Sequence, residues 1–466
     1  MTSPRIGLLP LYLALYDEAM PDVRPGMERF YRRIADALAS RGLAVETAPF
    51  CRLRDEVHQA VRSFENASVD AIVTIHLAYS PSLESAEVLA RSPLPIIVLD
   101  TTPDVDFGPD QSPDAIMFNH GIHGVQDLCN LLIRHGKAFQ IEAGHWQQSD
   151  VLDRVTGWAH AARMARAMRS ARVGRLGDPF AGMGDFAVPE DILKATIGVT
   201  TLPSAPVTLR AYLPALDDPE VAEELAADRA RFDTRRVSVD AHREAVRAGW
   251  ALRRWISEER LTALSVNFLA CNQASGLPTM PFLEIDKAMA RGIGYAGEGD
   301  VLTAAFVGAL LSCYPETTFT EMFCPDWAGN TIFLSHMGEV NSDLLVGTPS
   351  LIEKPFPWTD ARDPVCPVGC MKAGPALLAD LAPSGAEHYT LILSSGTMVD
   401  GGPTDQMSDT VHGWFRPSLP VHEFLASYSR YGGTHHCALV YGDVAQSLRG
   451  FGEMMGWGVV DIADEE

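Results

Sequence analysis

Short, wholly apolar segments alternate with helical ones over the first 170 residues, and few folds can bury such a pattern. Ile6-Gly-Leu-Leu9, Asp70-Ala-Ile-Val-Thr-Ile75 and Pro95-Ile-Ile-Val-Leu-Asp100 are strand-length runs without the polar alternation of a half-exposed strand. Leu43 to Ala48 reads as a further strand. Between these runs, residues 27–41 have helical period and close on Gly42, and residues 81–91 and 125–135 are helical in character. Strands that are apolar on both faces need cover on both faces. A β-α-β-α order supplies it by placing helices on either side of a parallel sheet. Ligands of such sheets sit beyond the carboxyl ends of the strands. No glycine-rich phosphate fingerprint follows the first strand, so a nucleotide is not expected.

A second region runs from about Arg172 to Tyr314. It carries an acidic helix near 217–231, a longer helix over 239–259 and a strand at Leu264-Ser-Val-Asn-Phe268. Gly297-Glu298-Gly299-Asp300 then leads into an apolar helix over 301–313. After Pro315 the chain becomes rich in Pro, Gly and Thr, with short β-type runs such as Asn330 to Leu334, Tyr389 to Leu393 and Cys437 to Tyr441. Frequent turn signals between short strands predict a β-rich domain. The expected fold class is therefore α/β, with domains at 1–170, 171–315 and 316–466.

Composition narrows the partners. With 37 basic and 60 acidic residues the formal charge is −23. Such a chain repels phosphate backbones and anionic lipid, so neither nucleic acid nor a membrane surface is expected as a partner. A neutral sugar or a cation is not repelled. No apolar run reaches the roughly 18 residues of a membrane span. The apolar opening, residues 1–16, has only Arg5 as a basic residue and runs into Asp17-Glu18, which fits a buried first strand and not a signal peptide. The eight cysteines are scattered, as in reduced cytoplasmic proteins. Cys366 and Cys370 have no second pair beside them, so a structural zinc is not expected.

Four places offer oxygen or imidazole ligands in turn-like settings. They are Glu298 in Gly-Glu-Gly-Asp, Glu321 in Phe-Thr-Glu-Met-Phe, His336 in Leu-Ser-His-Met-Gly-Glu, and His435-His436 in Gly-Gly-Thr-His-His. Two carboxylates with one or two imidazoles suit Mn²⁺, or Co²⁺, Fe²⁺ or Mg²⁺, better than thiolates would. Each residue alone also has an ordinary structural explanation. Glu298 could cap a helix dipole, and His336 could be a satisfied core histidine. Adjacent histidines on a strand point to opposite faces, so no more than one of His435 and His436 is expected to enter a given site.

The order of these segments resembles the L-arabinose isomerase family, with L-fucose isomerase as a more distant relative. The likeness lies in Gly294-Tyr-Ala-Gly-Glu-Gly-Asp300, Phe319-Thr-Glu321, Leu334-Ser-His-Met-Gly-Glu-Val340 and Gly432-Gly-Thr-His-His436, with weaker matches at Ala143-Gly-His-Trp146 and Phe118 to Gly124. The resemblance implies a Rossmann-like N-terminal domain, a central α/β domain and a β-barrel-like C-terminal domain, assembled as a hexamer or related homo-oligomer. It implies that Glu298, Glu321, His336 and His436 hold the metal and that Glu298 and Glu321 are the acid/base pair. His123, in a neighbouring subunit, and His435 would reach the substrate. Asp300 and Glu339 would support the ligands from behind.

Aldose–ketose isomerisation suits this set. A proton must move between C1 and C2, which a carboxylate beside the substrate can carry, while a divalent ion takes up the charge that develops. The enediol route follows from the resemblance; a hydride shift would use the same groups. The family's polar Gln-His substrate loop is replaced here by Gly7-Leu-Leu-Pro-Leu-Tyr-Leu13. The segment after Glu321, Met-Phe-Cys-Pro-Asp-Trp327, lacks the family's tyrosine-rich pattern, and His123-Gly-Val-Gln-Asp127 stands where the family continues Gly-Arg-Glu. Changed hydroxyl partners imply a changed sugar. Phe323 and Trp327 could stack on a less polar sugar face, but the core is their expected place. The competing readings are a metal-dependent epimerase or lyase on a sugar-like substrate, and a sugar-binding protein without turnover.

Overall fold

A computed structural model describes residues 3–204, 206–401 and 406–464; the outermost ends of the first and last expected domains, at 1–2 and 465–466, lie outside the described residues. The chain divides into two compact units, Thr2–Arg166 and Ala167–Glu466.

In the first unit, strands β1 (Arg5–Leu11), β2 (Ala44–Thr47), β3 (Ala71–His76), β4 (Ile96–Asp100) and β5 (Phe139–Ala143) form a parallel sheet in the order β2-β1-β3-β4-β5. This is a doubly wound order, in which the chain reverses direction across β1 and β3. Nearly every residue of β1 and β3 is buried, as the apolar runs require. The helix Arg54–Asn66 turns Val57, Ala60, Val61 and Phe64 toward the sheet at helical spacing. It packs so closely that a Cβ on Gly7 would stand 2.4 Å from the Phe64 ring, and only glycine leaves that room. Burying large side chains of this kind contributes about 1.5–3 kcal/mol each.

The second unit begins with a parallel sheet of β6 (Arg172–Leu176), β7 (Thr200–Ser204), β9 (Ala263–Val266) and β10 (Gly294–Gly297), ordered β10-β9-β6-β7; β8 (Asp233–Arg236) joins the larger sheet instead. The helices Pro219–Arg231 and Val239–Glu259 stand where their sequence predicts. The helix Val301–Leu311 is apolar all round and buried almost throughout, the behaviour of a core helix.

The remainder is β-rich. Strands β11 (Thr317–Asp326), β12 (Thr331–Ser335), β13 (Ser350–Glu353), β14 (Val365–Cys370), β15 (Gly374–Pro383), β16 (Tyr389–Val399), β17 (Val411–Pro417), β18 (His436–Tyr441) and β19 (Gly458–Asp461) make one sheet with β8. Within it β16 also pairs with β17, which closes the six strands β16-β15-β18-β11-β12-β17 into an antiparallel ring. Closure leaves those strands no open edge. Leu334, Leu378, Phe415 and Leu439 belong to the core cluster of this region, and Phe424 and Tyr428 of the helix Val421–Arg430 join it.

One expectation needs correction here. Phe323 and Trp327 are not core residues: they are 47 % and 65 % exposed. β11 is buried only over its first residues; its far half faces solvent, although its partner β12 stays mostly buried. An apolar run does not reveal which end of a long strand leaves the core. The eight cysteines are all free thiols. Among the described residues no helix is long and apolar enough to cross a membrane.

Candidate metal and active centre

Three local structures deliver the site. Glu298 lies just past the carboxyl end of β10, where parallel sheets present ligands. Its backbone is left-handed, with φ of 63°, a conformation that costs a non-glycine residue about 1–2 kcal/mol. The neighbours hold it there. The Glu298 N–H donates to the Val266 carbonyl at 2.9 Å, and the Glu298 carbonyl accepts from the Phe180 N–H at 2.8 Å. Gly299, with φ of 88°, passes so near Pro179 that a Cβ would stand 2.6 Å from its Cα. Asp300 then caps the helix Val301–Leu311 by accepting from the Thr303 N–H at 2.9 Å.

Strand register supplies the other side. Glu321 on β11 is paired with His436 at the start of β18 and with Ser335 at the end of β12, next to His336. A register shift follows between Met322 and Cys324. Bulges of this kind commonly re-aim side chains beside functional sites. Phe319, two residues earlier on the same face, is buried with its ring 4.9 Å from that of His336 and 5.0 Å from that of His436.

One ligand atom from each of Glu298, Glu321, His435 and His436 lies within 4.8 Å of the others. His336 meets the group at Glu321, whose Oε1 is 3.1 Å from His336 Nε2 and 3.1 Å from His436 Nε2. Glu298 Oε2 stands 3.6 Å from His436 Nε2 and 3.8 Å from His435 Nε2. Glu298 Oε2 and His436 Nε2 are buried with no hydrogen-bond partner. Buried, unpaired donor atoms of mixed oxygen and nitrogen character facing one another are what a divalent cation satisfies.

Each imidazole is held from behind by a carboxylate on Nδ1. Glu339 Oε2 holds His336 at 2.5 Å, Asp300 Oδ2 holds His436 at 2.9 Å, and Asp185 Oδ2 holds His435 at 2.6 Å. Such contacts fix the ring and leave Nε2 free to bind. Glu339 is itself held by the Tyr295 hydroxyl at 2.8 Å. Burial alone would raise the Glu298 carboxyl, but His435 and His436 outweigh it and bring it down to about 2. Glu321 is likewise pushed up by burial yet held well below the usual range by His336 and His436. Burial lowers His336, and Glu339 with Glu321 overcomes it, to about 10. The carboxylates thus stay charged and hold positive charge in their midst.

The expected ligands Glu298, Glu321, His336 and His436 are therefore neighbours. The expectation that His435 and His436 must diverge is corrected: their ring centroids are 4.3 Å apart. β18 begins at His436, so His435 is not yet strand and escapes the alternation. His123 belongs to the first unit, exposed at the start of the helix Ile122–Arg134, with its ring 5.9 Å from that of His120. Sequence reasoning missed Asp185 and Phe186. Phe186 is buried and stacked on His436 at 4.8 Å. Both sit in an irregular segment with no periodic pattern, and only the pairing of a loop carboxylate with a distant histidine reveals them.

Comparison with known proteins bears on this geometry. Residues 207–313 match the L-arabinose isomerase central domain and residues 316–458 the L-arabinose isomerase C-terminal domain, together more than half of the chain. The chain belongs to the L-arabinose isomerase family. It is 25 % identical to the L-arabinose isomerase of Shouchella clausii over 98 % of this chain and 94 % of that one. It is 24 % identical to the L-arabinose isomerase of Acidothermus cellulolyticus over 96 % and 91 %. A third relative, L-arabinose isomerase 2 of Bacillus licheniformis, is 29 % identical over 60 % of each chain. Within the L-arabinose isomerase family this chain is a divergent member; Glu298 lies in the matched central domain, and Glu321, His336, His435 and His436 lie in the matched C-terminal domain.

Proposed function

We propose that the protein is a metal-dependent aldose–ketose isomerase of a free sugar, an L-arabinose-like pentose or a related sugar, working with Mn²⁺ or a similar divalent cation. The observation that carries this reading is the juxtaposition of Glu298 and Glu321 with His436, with Glu298 Oε2 and His436 Nε2 buried and unpaired between them. The relatives' names point the same way.

Glu298, Glu321, His336 and His436 would hold the cation. When bound, it supplies positive charge that polarises the sugar carbonyl and takes up negative charge. The chain does the rest. One carboxylate removes the proton from the carbon next to the carbonyl and returns it to the neighbouring carbon, by way of an enediol. The other keeps its charge. Glu339 and Asp300 keep the rings of His336 and His436 turned inward, and the buried Phe319 ring packs edge-on against both. His435, half exposed, would reach a sugar hydroxyl, and His123 would serve a neighbouring copy. The stretch Gly7 to Leu13, most of it in the buried strand β1, lacks the family's Gln-His pair, which argues that the sugar differs from L-arabinose.

The test is to strip the protein of metal and offer a panel of tetroses, pentoses and hexoses with and without Mn²⁺. Manganese-dependent ketose from one of them is the expected result. Bound metal with no ketose from any sugar would replace this reading by an epimerase or a lyase, which product analysis separates by carbon skeleton.

A further inference from the structure

Three imidazoles converge on the site, and their carboxylate partners differ in one respect. Asp300 behind His436 and Glu339 behind His336 are buried, as are the histidines they hold. The Asp185–His435 pair is different: its side chains keep 38 % and 40 % of their exposure. His435 is the most exposed of the three imidazoles. A single oxygen of Asp185, Oδ2, accepts both the His435 backbone N–H at 3.0 Å and the Nδ1 side of its ring at 2.6 Å. The adjacent Phe186 stacks on His436 with its plane only 9° off, and lies 5.6 Å from the His435 ring. One short segment therefore sets the orientation of both histidines. A carboxylate only accepts, so the contact places the ring proton on Nδ1. Nε2, 3.8 Å from Glu298 Oε2, is turned toward the reacting side.

We propose that Asp185 is a positioning residue that acts through His435, presenting Nε2 to a sugar hydroxyl rather than to the cation. This rests on the isomerase reading for the identity of the ligand as a sugar. It predicts a division of labour: the two buried carboxylate–histidine pairs govern the cation, and the exposed pair governs the sugar.

The experiment uses the full chain as unaltered protein, Asp185→Ala, Asp185→Asn, His435→Gln and the double variant Asp185→Ala/His435→Gln. Mn²⁺ affinity and L-arabinitol affinity are measured by calorimetry, and KM and kcat on the sugar that the panel selects. The His435 ring tautomer is read by ¹⁵N resonance with Mg²⁺ in place of paramagnetic Mn²⁺. The Ala variant is expected to raise KM and the L-arabinitol Kd about 10-fold or more, within the 10–100-fold range of such supporting contacts. Its Mn²⁺ affinity should stay within about twofold, and the ring should lose its Nδ1–H preference. The Asn variant, whose carbonyl still accepts, should recover most of the KM. The double variant should be no worse than His435→Gln, because coupled residues do not add. Unchanged sugar affinity with an unchanged tautomer in the Ala variant overturns the proposal. So does a loss of Mn²⁺ affinity parallel to the loss of sugar affinity. Failure of the unaltered protein to make ketose removes the isomerase reading alone, since L-arabinitol binding and the tautomer still decide the role of Asp185.

Discussion

Glu321 stands opposite His436 across the β11–β18 pair, and its Oε1 lies 3.1 Å from the Nε2 of that histidine. Because the register of two long strands sets this contact, it survives small changes elsewhere. Glu321→Gln keeps the shape and removes the charge. Together with Glu298→Gln, it should abolish the base. We expect turnover to fall by about 10²–10⁴-fold in each variant, the range for a lost acid/base group, with the circular dichroism spectrum unchanged. Near-normal kcat in both would sink the assignment of the pair.

Tyr295 offers a subtler lever. Its hydroxyl donates to Glu339, which holds His336. Tyr295→Phe deletes one oxygen from a buried chain of contacts. Manganese affinity of the metal-stripped protein should weaken roughly 10-fold. An unchanged Kd by calorimetry would show that Glu339 needs no help.

His76 gives the first unit a dependence on pH. Burial holds its ring at about 3, below its ordinary value of 6.5, and Asp127 opposes the shift only partly. Neither ring nitrogen has a hydrogen-bond partner. The folded chain keeps the ring neutral, so below pH 6.5 the unfolded chain binds the extra proton. Stability is complete above pH 6.5 and falls as pH drops toward 3, by up to about 1.4 kcal/mol per unit. Urea midpoints at pH 7 and pH 5 should diverge more in the unaltered protein than in His76→Gln. Equal divergence would remove His76 as the cause.

Lys287 carries a structural load. It is buried and contacts Glu224 at 2.6 Å and Asp228 at 2.9 Å, while Asp228 also meets His242 at 3.0 Å. Lys287→Met leaves the buried Asp228 and the partly buried Glu224 short of a cation. The expected loss is about 3–5 kcal/mol of unfolding free energy, the usual effect of breaking a buried pair. A loss below 1 kcal/mol (about the worth of an exposed pair) would mean that His242 and Arg253, which meets Glu224 at 2.9 Å, compensate.

Much of this was legible in the residues themselves. The apolar runs at Ile6, Asp70 and Pro95 named the strands of the first sheet, since nothing but a covered parallel sheet hides them. Residues 239–259 were legible as a helix from end to end, because Ser238 caps its start, accepting from the Ala241 N–H, and Val246, Gly249 and Trp255 keep its buried stripe. The ligands were legible as motifs but not as a cluster: only the strand register tells that Glu321 faces His436. Phe323 and Trp327 misled because hydropathy carries no direction along a strand. Asp185 was invisible because a loop carboxylate has no period, and its partner lies 250 residues away in sequence.

The left-handed backbone at Glu298 bears on how such a protein could be improved. A screen that rewarded heat resistance alone would favour glycine there, which relaxes the conformation at no steric cost. The winning clone would be sturdier and inert. Engineering for thermal endurance should therefore hold position 298 fixed and seek its gains elsewhere, because what weakens the chain at that point is the same feature that aims its carboxylate.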